Sequence, residues 1–270
     1  MNNIKISKYN YLERHLRDIR ARGRYSFTLE ELLKEFDLPY PTVKQALYRL
    51  KEKKEIAQIR QGFYVLVPPE YSVRGALPTV MFIDSMMNSL GKPYYVGLLS
   101  AAALHGAAHQ QPMVDYIVSQ TPAPRNISNK KMKVVFVAKK ALIQEGIFQK
   151  KTPAGHINVS SPELTAFDLL ENIRTFGVNR ITTVLHELCE EMRPSRLSKI
   201  AKIVDNKANI QRLGYILDNE LQEEKLANAL YKVLDKSSFS PVSLSPYKGR
   251  KGKIDEKWKI IINMQIESDL

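Results

Sequence analysis

The sequence predicts an α+β protein with two parts. Residues 28–50 contain two short amphipathic stretches around a proline-containing turn, and two apolar runs joined by a tight turn follow at residues 56–67. Beyond residue 93, strand-like runs precede several helix-like segments. This pattern predicts an N-terminal winged helix-turn-helix followed by a larger mixed α/β domain with a helical C-terminal half. We place the first domain at residues 1–75, a connection at 76–92 and the larger domain at 93–270.

The first two helices are predicted from local signals. Apolar residues recur on one face over residues 9–22, and Gly23 follows where a left-handed backbone conformation costs little. A second helix is predicted over residues 28–40. Its first residues, Thr28 and Glu31, have the spacing of a capping box, in which each side chain accepts a hydrogen bond from the backbone N–H of the other residue. These signals favour two helices in sequence, separated by a short loop.

A third helix decides how the first domain is interpreted. Val43, Leu47 and Leu50 form one apolar stripe, and Pro41 suits a first helical residue, which makes Tyr40 the N-cap. The opposite face carries Thr42, Lys44, Gln45, Tyr48, Arg49 and Lys51. These residue types contact base edges and phosphates when a helix lies in the major groove of DNA.

A hairpin is predicted after the third helix. Its strands lie near Ile56–Ile59 and Phe63–Val67, and Gly62 occupies a turn position that favours a positive φ. A basic helix face alone is most often only solvated, but two helices and a hairpin together favour binding to double-stranded DNA. The predicted DNA contacts are the six residues on the outer face of the helix together with Lys53, Lys54, Arg60 and Gln61.

Hydrophobic patterns predict several helices and a few strands in the rest of the chain. One helix is predicted at residues 79–90, and another, rich in alanine and leucine, at residues 94–108. Ser161 and Pro162 have the types expected of an N-cap and a first helical residue. Strands are predicted at 114–119, 133–138, 156–160 and 258–263; helices at 179–192, 196–218 with a break near Asn206, and 221–235; and a loop at 237–257.

Composition limits the possible partners and compartments. The 270 residues are 44% hydrophobic and have a formal net charge of +13, so we expect a folded protein with an acidic partner. The single cysteine, Cys189, excludes an internal disulfide and a cysteine-rich zinc site. Neither a signal-peptide core nor an apolar run of about 18 residues occurs, which predicts a cytoplasmic protein without membrane contact.

Residues with the spacing of a catalytic or metal site are scarce. His105 and His109 are four residues apart on a predicted helix, a spacing that can place both on one metal ion, with Asp115 as a third ligand. The glutamate that follows the first histidine in metalloproteases is missing. The basic turn at residues 249–253 is not a phosphate-binding loop. We therefore predict no catalytic residues, no metal site and no cofactor.

Four stretches resemble the AbiEi-type antitoxins of type IV toxin–antitoxin systems, which act in abortive infection. They are YYVGLLSAAALHGAAHQQP at 94–112, INVSSPELTAFDLL at 157–170, IQRLGYILD at 210–218 and LSPYKGRKGKIDEKWKIIIN at 244–263. Their order and spacing make the resemblance more specific than any single stretch. It extends over essentially the whole chain.

The resemblance implies a phage-defence antitoxin that is also a transcriptional autorepressor. Its winged helix would bind inverted repeats in the operon promoter, and residues 93–270 would oppose a nucleotidyltransferase toxin. The Gly-Ser and Asp-x-Asp pattern of such a toxin is absent, which favours the antitoxin. The basic residues Lys248, Arg250, Lys251, Lys253 and Lys257 are candidates for a surface that faces the toxin or its RNA substrate. Whether the antitoxin must contact the toxin is left open.

Two other functions remain possible at this point. The first alternative is a metal-dependent enzyme that acts on nucleic acid through the histidine pair. The second is a metabolic repressor whose larger domain binds a small ligand. Stoichiometric zinc or iron in the purified protein would favour the enzyme. A thermal shift with a metabolite would favour the ligand-responsive repressor.

Overall fold

The computed structural model describes residues 11–72, 77–107, 113–129, 131–234 and 238–267. These ranges form the predicted mixed α+β protein, with helices and three separate sheets. The parts of the predictions that concern residues 108–112, His109 among them, lie outside these ranges.

The first elements form a small helical unit closed by a three-stranded sheet. They are α1 (Tyr11–Ala21), β1 (Ser26–Thr28), α2 (Leu29–Glu35), α3 (Tyr40–Glu52), β2 (Ile56–Arg60) and β3 (Phe63–Leu66). Strand β3 lies between β1 and β2 and pairs antiparallel with both. We call residues 11–66 the N-terminal unit.

The local signals for these helices are confirmed. Gly23 ends α1 with a φ of +72°. Thr28 Oγ1 accepts a hydrogen bond from Glu31 N at 3.0 Å, and Glu31 Oε2 accepts one from Thr28 N at 2.9 Å, which completes the capping box. The predicted apolar stripes of α1 and α3 are buried in one cluster. Burial of these stripes against each other and against β3 stabilises the unit.

The start of α3 differs from the prediction by one residue. The N-cap is Pro39 and not Tyr40, and Tyr40 is the first helical residue. The Pro39 carbonyl accepts a hydrogen bond from Thr42 N at 2.9 Å, so the helical bonding pattern begins there. Pro41 lies in the first turn, where its missing N–H leaves no bond unmade.

Residues after β3 connect the N-terminal unit to the rest of the chain. The helix predicted at residues 79–90 is divided into a 3-10 turn (Thr79–Met81) and a helix, because Phe82 has a non-helical φ of −137°. The helices here are α4 (Pro69–Ser72) and α5 (Ile83–Ser89). Phe82 and Met86 belong to the same buried cluster as Phe63 and Val65 of β3. The connection is thus packed against the N-terminal unit.

The larger part is built on a six-stranded mixed sheet. Its strands are β4 (Tyr94–Val96), β5 (Asp115–Gln120), β6 (Ile127–Asn129), β7 (Met132–Lys139), β8 (Ile147–Thr152) and β9 (Gly155–Ser160). Their spatial order is β6-β7-β5-β4-β9-β8. The predictions of β5, β7 and β9 are confirmed, whereas β6 and β8, which form the two edges, were not predicted.

The helix predicted at residues 94–108 begins too early. Tyr94, Tyr95 and Val96 form the central strand β4, and the helix α6 is Leu98–Leu104. All three residues of β4 are buried, since both faces of the sheet are covered. An apolar run buried on both faces has no alternating pattern, so it looks the same as a buried helix in the sequence.

Helices cover the face of the sheet opposite to α5. They are α7 (Pro162–Glu171), α8 (Ile173–Phe176), α9 (Val178–Leu188), α10 (Pro194–Val204), α11 (Lys207–Tyr215) and α12 (Glu224–Leu234), with a π-helical turn at Ile216–Glu220. Ser161 Oγ caps α7 by accepting from Leu164 N at 3.3 Å. The predicted break near Asn206 is confirmed, because Asp205 is left-handed and Asn206 caps α11.

A small third sheet completes the described chain. Its strands β10 (Val242–Ser243), β12 (Ile260–Ile262) and β11 (Lys253–Asp255) lie side by side in that order. The prediction of a terminal strand is therefore confirmed, while the predicted loop also contains β10 and β11. Trp258 anchors this sheet to the helices, because its side chain is 0% exposed and its Nε1 donates to Asp218 Oδ2 at 2.8 Å.

Candidate nucleic-acid interface

The exposed side of α3 and the neighbouring strand β2 form one surface. Lys51 Nζ, near the end of α3, donates to Gln58 Oε1 of β2 at 3.3 Å. At the other end, Lys44 of α3 lines the same groove as Arg60 and Gln61 at the tip of the hairpin. The structure thus brings together four of the residues predicted from sequence to contact DNA. We call this surface the α3–β2 face.

The remaining predicted contacts of α3 are exposed. Thr42, Gln45, Tyr48 and Arg49 lie away from the buried stripe, and Tyr48 is 62% exposed. These residues are accessible to a partner that lies along α3.

Lys53 has a different environment from the other lysines of this region. Its Nζ is 3.1 Å from Glu13 Oε1 of α1 and 4.0 Å from Glu55 Oε1. The hydrogen bond with Glu13 raises the pKa of Lys53, whose side chain is exposed. Lys54 is also exposed and has a φ of +59° in the turn after α3. Lys53 is therefore directed toward α1 and its charge is partly offset.

The tip of the hairpin is supported by the start of α2. Gly62 has the predicted positive φ, +75°, and its carbonyl accepts a hydrogen bond from Leu29 N at 2.8 Å. Strand β1 pairs with β3 as far as Thr28 opposite Phe63, so the tip does not project beyond the sheet. The hairpin is consequently short, and its Arg60 and Gln61 lie close to the start of α3.

The basic residues near the C-terminus fall into two groups. Lys257 Nζ pairs with Asp218 Oδ2 at 2.7 Å, and Arg250 Nη2 donates to the Pro241 carbonyl at 3.1 Å. By contrast, Lys248, Lys251 and Lys253 are exposed, and the structure places no carboxylate of the described ranges within ion-pair distance of them. Exposed Tyr247 and Ile254 lie at the two ends of this segment.

Sequence reasoning missed a buried polar network between the sheet and α7. Asp168 is 0% exposed and accepts hydrogen bonds from Tyr95 Oη at 2.9 Å and from Lys139 Nζ at 2.5 Å. Lys139 also pairs with Glu171 at 2.8 Å. Burial raises the pKa of Asp168, while Lys139 opposes that shift. A lone charged residue in the apolar stretch TAFDLL was the available signal for a buried, paired carboxylate.

We expect Lys139→Met to lower the free energy of unfolding by about 3 kcal/mol, because it leaves a buried carboxylate without its cation. Burial raises the pKa of Asp168, so in the variant the folded state keeps a proton that the unfolded chain releases above about pH 4. The loss should therefore grow as pH rises. Chemical denaturation at about pH 5 and pH 8 measures it.

The neighbouring residue offers a control for this measurement. Lys140 is exposed, so Lys140→Met removes the same charge at the surface and should change stability by less than about 0.5 kcal/mol. If Lys139→Met lowered the free energy of unfolding equally at both pH values, the protonation of Asp168 would not depend on Lys139.

The residues considered for a metal site do not meet within the described ranges. His105 Nε2 lies 2.8 Å from the Ser160 carbonyl, whereas Asp115 accepts a hydrogen bond from Thr79 Oγ1. No group of three His, Cys, Asp or Glu residues in those ranges is arranged to hold a metal ion.

Burial raises the pKa of the free Cys189 thiol to about 12. Among the described helices, none has the length and apolar character needed to cross a membrane.

Comparison with known protein families identifies the central part of the chain. Residues 95–219, from β4 to the π-helical turn, match the family described as the AbiEi antitoxin C-terminal domain. This segment is similar to AbiEi antitoxin C-terminal domains, and we call it the AbiEi domain. The match confirms the resemblance seen in the sequence. The AbiEi domain includes the six-stranded sheet, the Asp168 network and helices α7 to α11.

Similar solved structures extend the comparison beyond the AbiEi domain. A crystal structure of the RV2827C protein from Mycobacterium tuberculosis has a TM-score of 0.63 at 14% identity, over 93% of this chain and 90% of that one. The fold shared with that protein therefore extends over the N-terminal unit as well as the AbiEi domain. An antigenic nucleotidyltransferase-like protein from Paracoccidioides brasiliensis scores only 0.36 at 13% identity, over 56% of this chain and 90% of that one, which does not indicate a shared fold. No curated protein sequence matches the chain significantly.

Proposed function

We propose that this protein is the antitoxin of a type IV toxin–antitoxin system and represses its own operon. The AbiEi domain at residues 95–219 is the observation that supports the antitoxin role. The α3–β2 face supports DNA binding, since its basic residues are exposed beside a helix of the length that enters a major groove. In this proposal the protein acts in the cytoplasm as a regulator and not as an enzyme.

The N-terminal unit acts as a winged helix-turn-helix in this proposal. Helix α3 lies in the major groove of promoter DNA, and the hairpin tip contacts the adjacent backbone. Thr42, Gln45 and Arg49 read base edges, while lysines on the α3–β2 face contact phosphates. Lys53 contributes least, because it is already paired with Glu13. Inverted repeats in the promoter would place two copies of the protein on one operator.

The basic C-terminal segment is the proposed surface that opposes the nucleotidyltransferase toxin. Lys248, Lys251 and Lys253 have no carboxylate partner in the described chain, so their charges remain available to an acidic surface. Tyr247 and Ile254 add exposed apolar area at the ends of the same segment. Lysines around exposed aromatic and aliphatic side chains form the kind of patch that binds a protein partner.

We expect the triple change Lys248→Gln, Lys251→Gln and Lys253→Gln to abolish rescue of growth when the toxin is co-expressed. The physical reason is the loss of three exposed, unpaired charges from the partner surface, which slows association and weakens binding. Promoter affinity should remain within about 2-fold of the parent protein, since α3 is unchanged. Growth rescue and a promoter-reporter assay measure the two functions. Unchanged rescue would assign the antitoxin surface elsewhere.

We expect Gly62→Val to weaken promoter binding by about 10-fold, because a β-branched residue at a φ of +75° costs about 1–2 kcal/mol and displaces the hairpin tip. No atom lies within 4 Å of the position of the added Cβ, so the cost comes from the backbone and not from a clash. Titration of labelled promoter DNA measures the effect. Gly249→Val is the control, because Gly249 has a negative φ and open space around it. Unchanged affinity for Gly62→Val would remove the hairpin from the interface.

A further inference from the structure

A groove of about 520 Å³ lies between the start of α3, the tip of the hairpin and the end of α5. Leu29, Leu33, Phe63, Met86 and Leu90 contribute apolar surface to it. Lys44, Arg60 and the ring of Tyr40 lie on the side formed by α3 and β2. Sites for small ligands commonly have volumes of about 300–1,000 Å³ and combine apolar walls with a few polar groups. The groove therefore has the size and the lining of a ligand site.

Arg60 is the residue in this groove that most needs a partner. Its Nη1 is buried, and no acceptor in the described chain lies within hydrogen-bond distance of it. Burial of an unpaired guanidinium nitrogen is unfavourable, so a small rotation of the Arg60 side chain toward an anionic oxygen in the groove would relieve that cost. Because the guanidinium group presents donors in a planar fork, it binds a phosphate group through two parallel hydrogen bonds.

The charges around Arg60 also favour an anion. Lys44 Nζ lies 5.0 Å from the centre of the Tyr40 ring, at the same side of the groove. The N-terminus of α3 lies at Tyr40, so the helix dipole adds partial positive charge to this side of the groove. Glu30 also lines the groove, but its carboxylate pairs with Lys34 at 2.8 Å. The balance of charge in the groove is positive.

The aromatic ring of Tyr40 lies beside these cations and indicates that the ligand carries a flat ring as well as an anionic group. Tyr40 is 47% exposed, so a flat ring can stack on it. We propose that the groove binds a free nucleoside polyphosphate, with its phosphates on Arg60 and Lys44 and its base against Tyr40. Since Lys44 and Arg60 are also proposed DNA contacts, the nucleotide would compete with promoter DNA. That competition rests on the proposed function, whereas nucleotide binding itself does not.

Isothermal titration of the full chain at low salt tests the site with ATP, inorganic triphosphate and adenosine. We expect ATP to bind at least about 10-fold more tightly than adenosine, because adenosine lacks the anionic oxygens. Arg60→Met should weaken ATP and triphosphate by about 10-fold each. Tyr40→Ala should weaken ATP but leave triphosphate within about 2-fold, since only ATP has a base to stack. Arg49→Met is the control, because Arg49 belongs to α3 but does not line the groove.

Three results would overturn the proposal. The first is no binding of ATP or triphosphate at about 1 mM. The second is an equal loss in Arg49→Met and Arg60→Met, which would indicate unspecific attraction to a basic surface. The third is that Arg60→Met loses DNA binding while the parent protein binds no nucleotide. The phosphate group that Arg60 contacts would then belong to the DNA backbone. Titration of the same variants with promoter DNA separates the two hypotheses. ATP binding without DNA binding would contradict the repressor function alone, and DNA binding without ATP binding would contradict the groove alone.

Discussion

A protein with Lys44→Gln, Arg49→Gln and Lys51→Gln should bind its promoter about 1,000-fold more weakly than the parent chain. Each lost contact to a phosphate or a base edge is expected to cost about 1–2 kcal/mol. The logarithm of the affinity should also depend less steeply on the logarithm of salt concentration, by about 0.9 for each phosphate contact removed. Titration of labelled promoter DNA at several salt concentrations measures both effects.

A matched control separates contact from net charge in this experiment. Arg196, Lys199 and Lys202 are exposed on α10, and their change to Gln removes the same three charges far along the chain from α3. We expect that variant to bind the promoter within about 3-fold of the parent, because distant exposed charges are screened at physiological salt. Equal losses in both triple variants would mean that the protein has no defined interface on α3. Toxin rescue should persist in both, since neither changes the basic C-terminal segment.

Trp258→Ala is expected to lower the free energy of unfolding by about 3–5 kcal/mol, because it empties a fully buried aromatic site. The change also removes the indole N–H that donates to Asp218 Oδ2 at 2.8 Å. The basic segment lies between β10 and β12, and Trp258 holds that sheet on α11 and α12. Toxin rescue should therefore fail in this variant. Chemical denaturation and growth rescue measure the two effects.

Gly214 provides an independent test of the same packing. A methyl group on Gly214 would lie 1.9 Å from Cζ3 of the Trp258 ring, so Gly214→Ala should destabilise the protein by about 1–3 kcal/mol through overpacking. Gly249→Ala has open space and should change stability by less than about 0.5 kcal/mol. In the double variant Gly214→Ala, Trp258→Ala the clash is absent, so the two losses should not add. Strict additivity would contradict the proposed contact. This contact also links two of the stretches that resemble AbiEi antitoxins, at 210–218 and 244–263.

The features that the sequence determined by itself are those with short-range physical causes. The capping box at Thr28, the left-handed glycines at residues 23 and 62 and the break at Asn206 depend on hydrogen bonds or backbone angles within a few residues. The apolar stripes of α1 and α3 likewise follow from helical periodicity. The resemblance to AbiEi antitoxins was also readable, because the four stretches that carry it are continuous runs whose order and spacing can be read from the chain.

The tertiary structure decided the features that depend on residues distant in sequence. Strand β4 became a strand because β5 and β9 lie on either side of it, and no local pattern distinguishes it from a helix. Lys53 differs from the other basic residues because it pairs with Glu13, which is 40 positions away in the sequence. The Asp168 network joins β4, β7 and α7, and the groove beside Arg60 exists only because α5 closes one side of it. Periodicity records which face of an element is apolar, but not which element or charge will lie opposite that face.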